Sequence, residues 1–196
     1  ASAAVIKDAS ENDVTSNYQI SYVAGTLEVT TRAIEITADS DTKVYDGTAL
    51  TNAGSSITDG TLVEGHTYTA TLTGSQTIVG ESANAASAAV IKDASENDVT
   101  SNYQISYVAG TLEVTTRAIE ITADSDTKVY DGTALTDGGS SLTNNTTLVE
   151  GHTYTATLTG SQTTVGESAN VASAAVIKDA SENDVTSNYQ ISYVAG

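Results

Sequence analysis

The sequence predicts an all-β protein, a tandem array of small antiparallel β-sandwich domains of the immunoglobulin-like kind. Three observations lead to this fold class. A long phrase recurs along the chain, apolar and polar residues alternate with a period of two, and glycine-containing turn signals separate the alternating segments. Short strands at close spacing, without long helical segments, are typical of such sandwiches.

The repeat is the strongest signal. The segment from Ala1 to Thr51 returns unchanged from Ala86 to Thr136, and its opening phrase appears a third time from Ala172 to Gly196. The distance between copies is the length of a small domain. The chain is therefore predicted to be a tandem array of similar domains.

The alternation predicts the strands, since Thr, Val, Ile and Tyr with a period of two favour a half-buried strand. The apolar faces are Ile34 and Ile36 in RAIEITAD, Tyr68, Ala70 and Leu72 in EGHTYTATLTG, Tyr18, Ile20 and Tyr22 in NYQISYVAG, and Leu27 and Val29 in TLEVT. Turns are predicted between them at Asp46–Gly47, Thr58–Gly60, Glu64–Gly65, Gly74–Ser75 and Ala24–Gly25, because glycine and aspartate suit turn backbones.

One stretch of the sequence is compatible with either a helix or a strand. The alanine-rich residues 82–98 (SANAASAAVIKDASEND) have some helical propensity. Their flanking Ser, Asn and Asp residues and the short Val-Ile-Lys run favour a strand and a loop. A β-grasp-like fold, with this stretch as a helix over the sheet, is the alternative.

Composition excludes several classes of function. The chain has 7 lysine and arginine residues against 25 aspartate and glutamate residues, for a net charge of −18. Such a chain lacks the basic surface that nucleic-acid binding requires. It has no apolar run long enough to cross a bilayer, so no membrane insertion is expected. Without cysteine there is no disulfide, and the core must hold the fold alone.

Three phrases taken together resemble a known family: TKVYDGTALT, LVEGHTYTATLTGSQTIVG and IKDASENDVTSNYQISYVAGTLEV. They are similar to the YDG-type and MBG-type repeats of bacterial cell-surface proteins, in the same order and over essentially the whole chain. Ala49 departs from the pattern, where a proline commonly follows YDGT. The resemblance implies an extracellular, wall-anchored or secreted stalk or adhesin, and it transfers no catalytic residues.

The resemblance also sets a domain frame. Residues 31–115 form one complete repeat, called repeat one below. Residues 116–196, called repeat two, form a repeat without its last strand. Residues 1–30, the leading segment, form the C-terminal part of a preceding repeat.

The KVYDGT motif, at residues 43–48 and 128–133, is a candidate site or a turn. Its titratable neighbours are Asp39, Asp41, Lys43 and Asp46, with no His or Cys beside them. His66 and His152 recur at one position, without a second histidine at metal-ligand spacing. A turn and a structural histidine are the favoured interpretations. The sequence therefore predicts no enzyme, no catalytic residue, no cofactor-binding residue and no metal ligand.

A calcium site and an internal cross-link are the alternatives to solvated acidic loops. DASENDVT and ADSDTKVYD gather carboxylates that calcium could use, including Asp124, Asp126 and Asp131, but neither matches the twelve-residue calcium loop. An internal Lys–Asn isopeptide bond could join Lys43 or Lys92 to an asparagine, the candidates being Asn84, Asn97 and Asn102. Solvated acidic loops without a covalent cross-link are the prediction, and no cofactor is expected.

Two functions remain. A spacer that extends an adhesive domain from the cell is favoured, because near-identical copies supply length rather than distinct surfaces. The alternative is a repeat that binds host or matrix glycan or mucin weakly and many times over. The expected partners are neighbouring repeats, met at the short VTTRA joint, or identical chains end to end. The two ends carry unpaired edges, which continuation of the chain or a neighbouring copy should complete by strand addition.

Overall fold

A computed structural model describes residues 3–196 of the chain. It contains two compact units, one that ends at Thr31 and one that spans Arg32–Gly196. The second unit is built almost entirely of strands. The predicted all-β class is confirmed.

The second unit contains twelve strands. In chain order they are β1 (Arg32–Ala38), β2 (Asp41–Val44), β3 (Ser55–Gly60), β4 (Thr67–Thr73), β5 (Gly80–Lys92), β6 (Tyr103–Val108), β7 (Gly110–Thr115), β8 (Arg117–Ala123), β9 (Ser140–Leu142), β10 (Thr153–Thr159), β11 (Val171–Lys178) and β12 (Tyr189–Val194). Single 3-10 turns at Thr100–Asn102 and Thr186–Asn188 precede β6 and β12.

The strands form four sheets. In repeat one the orders are β3-β1-β6 and β2-β7-β5-β4, and in repeat two they are β12-β8-β9 and β10-β11. Strands β1, β4 and β6 and their counterparts lie where the alternation predicted them. Thr58–Gly60, predicted as a turn, instead ends β3, where Gly60 pairs with Ile34 and has a φ of 72°.

The prediction of purely antiparallel sheets is wrong. Strands β1 and β6, β2 and β7, and β8 and β12 pair in parallel. Each parallel pair joins an early strand of a repeat to a late one, with the intervening strands forming the crossover between them. Alternation fixes the faces of a strand but carries no information about its direction, so the sequence pattern could not reveal this.

The alanine-rich stretch forms the long strand β5, which confirms the favoured interpretation and removes the helix that the β-grasp alternative used. Residues Gly80–Asn84 pair with β7, and Ala85–Lys92 pair with β4. A bulge opposite Thr69–Thr71 places Ala88 at a φ of 48°. Strand β5 thus lies between β4 and β7 in one sheet and pairs with both.

Two hydrophobic cores fill the second unit. The first belongs to repeat one and contains Ile34, Ile36, Ala38, Ala86, Ala89, Ile91 and Tyr103. The second joins four residues of repeat one to seven of repeat two: Tyr45, Leu50, Leu112 and Val114 with Ile119, Ile121, Ala123, Ala172, Ala175, Ile177 and Tyr189. The closing strand β7, together with Tyr45 and Leu50, therefore buries its apolar side chains against repeat two.

The first unit contains local structure but no strand within its described residues. A 3-10 turn spans Thr15–Asn17, and Ala4 donates its N–H to the Tyr22 hydroxyl at 2.8 Å. The strands predicted around Tyr18–Tyr22 and Leu27–Val29 do not form there, although the same sequences form β6 and β7 in repeat one. A strand needs a partner for its ladder, and β6 and β7 have β1, β2 and β5 beside them.

Candidate functional site

The KVYDGT motif of repeat one forms a turn. Asp46 Oδ1 accepts hydrogen bonds from the Thr48 N–H at 2.9 Å and from Lys43 Nζ at 2.6 Å. Gly47 has a φ of 80°, a backbone conformation that glycine adopts without strain. The hydrogen bonds from Lys43 and Thr48 hold the pKa of Asp46 well below its ordinary value. The predicted turn is present, and its side-chain network is local.

The side chain of Tyr45 does more than close the turn, because it fills a pocket of repeat two. It is 4% exposed. Its ring stands edge-on to Tyr189, with centroids 5.6 Å apart, and lies 6.2 Å from the ring of His152. The Tyr189 hydroxyl in turn accepts the Val149 N–H at 3.1 Å and lies 2.7 Å from His152 Nδ1. Edge-on aromatic packing of this kind adds to the energy of burial.

Two further contacts surround the Tyr45 pocket. Val79, just before β5, donates its N–H to Asn188 Oδ1 at 2.9 Å. Asn188 is buried, and it is the repeat-two counterpart of Asn102. A β-carbon placed on Gly47 would lie 2.9 Å from Val149 Cγ1, so the turn itself packs against repeat two. We call Tyr45, Val79, Val149, His152 and their partners Asn188 and Tyr189 the junction.

The electrostatics of the junction follow from burial. Desolvation raises the pKa of Tyr45, with smaller contributions from Tyr189 and Asp179, while a hydrogen bond with Asn188 opposes the rise. Burial likewise raises the pKa of Tyr189. Both phenols therefore stay neutral at physiological pH, and the junction is held by packing and neutral hydrogen bonds.

Every repeat carries both halves of the junction. In repeat two the turn is rebuilt, with the Asp131 carboxylate 2.9 Å from Lys128 Nζ, but Tyr130 is 64% exposed. In repeat one, His66 and Tyr103 form the counterpart of the His152–Tyr189 pair, with His66 Nδ1 2.8 Å from the Tyr103 hydroxyl. The donor half of repeat two and the receiving half of repeat one thus have the same local geometry as the joined pair.

Sequence reasoning missed the junction. It placed the contact between repeats at the VTTRA joint alone, whereas the contact extends to Tyr45 and Val79 on one side and to His152 and Asn188 on the other. The available signal was a tyrosine directly before the Asp46–Gly47 turn. Tyrosine is enriched at interfaces because it combines a large apolar ring with a polar tip.

In the acidic DASENDVT loops, the aspartate carboxylates accept hydrogen bonds from main-chain N–H groups of the same loop. In repeat one, Asp93 Oδ1 accepts the N–H groups of Ser95 and Asn97, and Asp98 Oδ1 accepts that of Thr100. The pKa of both carboxyls is lowered, chiefly by the side chains of Asn97 and Thr100 and then by the main-chain N–H groups of the same two residues. In the ADSDTKVYD stretches, the Asp41 and Asp126 carboxylates accept the next N–H. Among residues 3–196, no three acidic or histidine side chains are grouped so that they could hold a metal ion.

The lysines considered for a cross-link are paired with carboxylates. Lys43 Nζ contacts Asp46, and Lys92 Nζ lies 3.0 Å from Glu96. Asn84, fully buried, donates its side-chain amide to two main-chain carbonyls of neighbouring loops at 2.9 and 3.0 Å. Neither lysine is placed beside that asparagine.

No family model, curated protein or solved structure matches this chain. No helix among the described residues is both long and apolar enough to span a bilayer. The junction geometry therefore carries the functional argument.

Proposed function

We propose that the chain is a structural segment of an extracellular bacterial surface stalk, fibre or adhesin, in which tandem sandwich-like repeats act as a spacer. The observation that carries this proposal is the junction, where Tyr45 of repeat one is buried against His152 and Tyr189 of repeat two. No enzymatic activity is part of the proposal.

The junction supports a linear array because its two sides use different surfaces. One side presents the turn with Tyr45, and the other presents the pocket around Tyr189. A contact between two different surfaces is heterologous, so each added repeat can use it again head to tail. Because repeats of this kind contact only their neighbours, stability and length grow together with repeat number.

The hydroxyl groups of three tyrosines also support a structural role over a glycan-binding one. A glycan platform needs free aromatic faces with available hydroxyls. The hydroxyls of Tyr107 and Tyr193 accept main-chain N–H groups of β5 and β11, and Tyr68 donates to a main-chain carbonyl. These side chains are committed to the fold of their own repeats. The resemblance to YDG-type and MBG-type surface repeats agrees with the same role.

The test is to lengthen the chain by inserting one, two and three further copies of residues 86–171 and to measure small-angle scattering. A strand of eight to ten residues covers about 30 Å, so the maximum dimension should rise by about 35–45 Å per added copy. A particle that stays globular as copies are added would contradict the proposal. The matched control carries Tyr45→Ala and the equivalent change in each added copy, and should lose the regular increment because the joints become loose.

A further inference from the structure

Strand β4 (Thr67–Thr73, TYTATLT) lies at the edge of its sheet and has a neighbour on one side only. It pairs with β5, and the extra residue of the bulge between them belongs to β5, so β4 itself alternates regularly. Among residues 3–196, no main-chain hydrogen bond outside the β4–β5 ladder involves residues 67–73. The outer side of β4 therefore presents a row of N–H and C=O groups that another strand could pair with.

This edge stays uncovered whichever neighbouring repeat is present. Strand β10 (Thr153–Thr159) has the same sequence as β4, and within the described part of the chain it pairs with β11 alone. Repeat one has the following repeat in place, and repeat two has the preceding repeat in place. Since neither neighbour adds a strand to this edge, every repeat of an array should present it.

Strand β4 also lacks the charges that protect other edges of repeat one. Residues 67–73 carry no charged side chain, although the chain has a net charge of −18. The edge strand β2 contains Asp41 and Lys43, and the edge strand β3 contains Asp59. The edge strand β6 is uncharged, but it lies against β5, where Ala89 donates its N–H to the Tyr107 hydroxyl. Charged side chains on an edge discourage pairing with another chain, and β4 has none.

The sequence of β4 reads almost the same in both directions. An antiparallel pair with a two-fold axis at Ala70 therefore places similar side chains opposite each other. The opposite pairs are Thr67 with Thr73, Tyr68 with Leu72, and Thr69 with Thr71. The threonines lie on the exposed face, and the tyrosine and leucine lie on the half-buried face. Cross-strand pairs of these kinds are favourable, and a two-fold contact requires such a self-complementary surface.

We propose that β4 and β10 form a lateral binding surface for a second copy of this chain. Either strand pairs antiparallel with β4 or β10 of the second copy, about Ala70 or Ala156. Main-chain hydrogen bonds across the new ladder supply affinity, and the matched threonines fix the register. The contact joins chains side by side, whereas the Tyr45 junction joins repeats along one chain.

The first experiment is sedimentation velocity of the full chain over a range of concentrations. The salt concentration is about 0.15 M, so that repulsion between the acidic chains is screened. The unchanged chain should form dimers and larger oligomers as its concentration rises. A chain with lysine in place of four edge threonines should associate at least about tenfold more weakly, because like charges then lie opposite each other. The substitutions are Thr69→Lys, Thr71→Lys, Thr155→Lys and Thr157→Lys.

The matched control moves the four lysines one strand inward, to the residues of β5 and β11 that lie opposite these threonines. The control substitutions are Val90→Lys, Ser87→Lys, Val176→Lys and Ser173→Lys. This control should associate like the unchanged chain. Both lysine chains are less acidic than the unchanged chain, so weaker association of the edge variant cannot come from overall charge.

A charge exchange separates repulsion at the edge from loss of the fold. Glutamate at the same four edge positions should also prevent self-association. An equal mixture of the edge-lysine and edge-glutamate chains should associate again, because each lysine then lies opposite a glutamate. No association by the unchanged chain, association that persists in the edge-lysine chain, equal weakening in the control, or a mixture that does not associate would overturn the proposal.

The lateral contact is separate from the spacer role. The scattering series on lengthened chains measures length along one chain, while sedimentation of the edge variants measures contact between chains. Either result can fail without the other.

Discussion

The two copies of KVYDGTAL, at residues 43–50 and 128–135, have one sequence and two environments. Both turns have the same Lys–Asp–Thr network, and Gly47 and Gly132 have φ values of 80° and 81°. Yet Tyr45 is buried and Tyr130 is exposed. The turn is therefore a property of the motif, whereas burial of its tyrosine is supplied by the repeat that follows.

The sheets show the same contrast. DTKV forms strand β2 at residues 41–44 but no strand at 126–129. The difference is β7, which pairs with β2 and with the first half of β5. In this protein a strand is thus a property of a pair of segments, and identical sequences differ where their partners differ.

The largest expected effect on the free energy of unfolding distinguishes Tyr45 from Tyr130. Tyr45→Ala removes a buried ring from the junction and should lower the free energy of unfolding by about 3 kcal/mol. Tyr130→Ala, the matched control, removes an exposed ring and should change it by less than about 0.5 kcal/mol. Urea denaturation of the full chain measures both. Equal effects of the two substitutions would show that the junction contributes nothing.

The second largest effect on stability concerns Asn84 and its counterpart Asn170. Asn84→Asp replaces an amide that donates to the main-chain carbonyls of Asp39 and Asn52 with a carboxylate that repels them. Losing both hydrogen bonds and placing a carboxylate at this buried position should cost about 2–3 kcal/mol. Asn170 makes the equivalent bonds to Asp124 and Asp137 but is only half-buried, so Asn170→Asp should cost less.

The pH dependence of the stability loss tests the difference in burial between the two asparagines. A buried carboxylate is neutralised more readily than an exposed one, so the loss from Asn84→Asp should shrink as the pH is lowered. Urea denaturation at neutral and at acidic pH measures this. A loss that is the same for both asparagines and at both pH values would contradict the difference in burial.

The sequence predicts the local part of these contrasts and none of the nonlocal part. Alternation in RAIEITAD and TYTATLT identified β1 and β4 because side-chain faces depend only on neighbouring residues. The same alternation gave no direction for β6, and it predicted strands at Tyr18–Tyr22 that lack a partner. The contact of Tyr45 with Tyr189 spans the two repeats, and the tyrosine beside the turn does not identify its partner.

The aspartates of the two turns should behave alike, because their networks are local. The pKa of Asp46 is lowered chiefly by Lys43, and that of Asp131 chiefly by the Thr133 N–H and Lys128. A lowered folded pKa means that the stabilisation is complete above the ordinary aspartate pKa, near 4, and is lost as the pH falls through the folded value. NMR titration of the side-chain carboxyl carbons should place both midpoints below the ordinary range. A midpoint near 4 for either one would contradict the network.

The smallest effect on stability comes from glycine substitutions at the two β-bulges, and it should be the same in both repeats. Ala88 and Ala174 both lie at bulges, each with a φ of 48°, where a β-carbon is strained. Glycine relieves that strain but adds freedom to the unfolded chain, so Ala88→Gly and Ala174→Gly should each raise the free energy of unfolding by up to about 1 kcal/mol. The control is Ala83→Gly, an exposed alanine in the regular part of β5, which should lower it by about 0.5–1 kcal/mol. Urea denaturation should show changes in the free energy of unfolding that have opposite signs for Ala83→Gly and Ala88→Gly. A loss of stability at both positions would mean that the bulge is not strained, while unequal effects at Ala88 and Ala174 would mean that it depends on the neighbouring repeat.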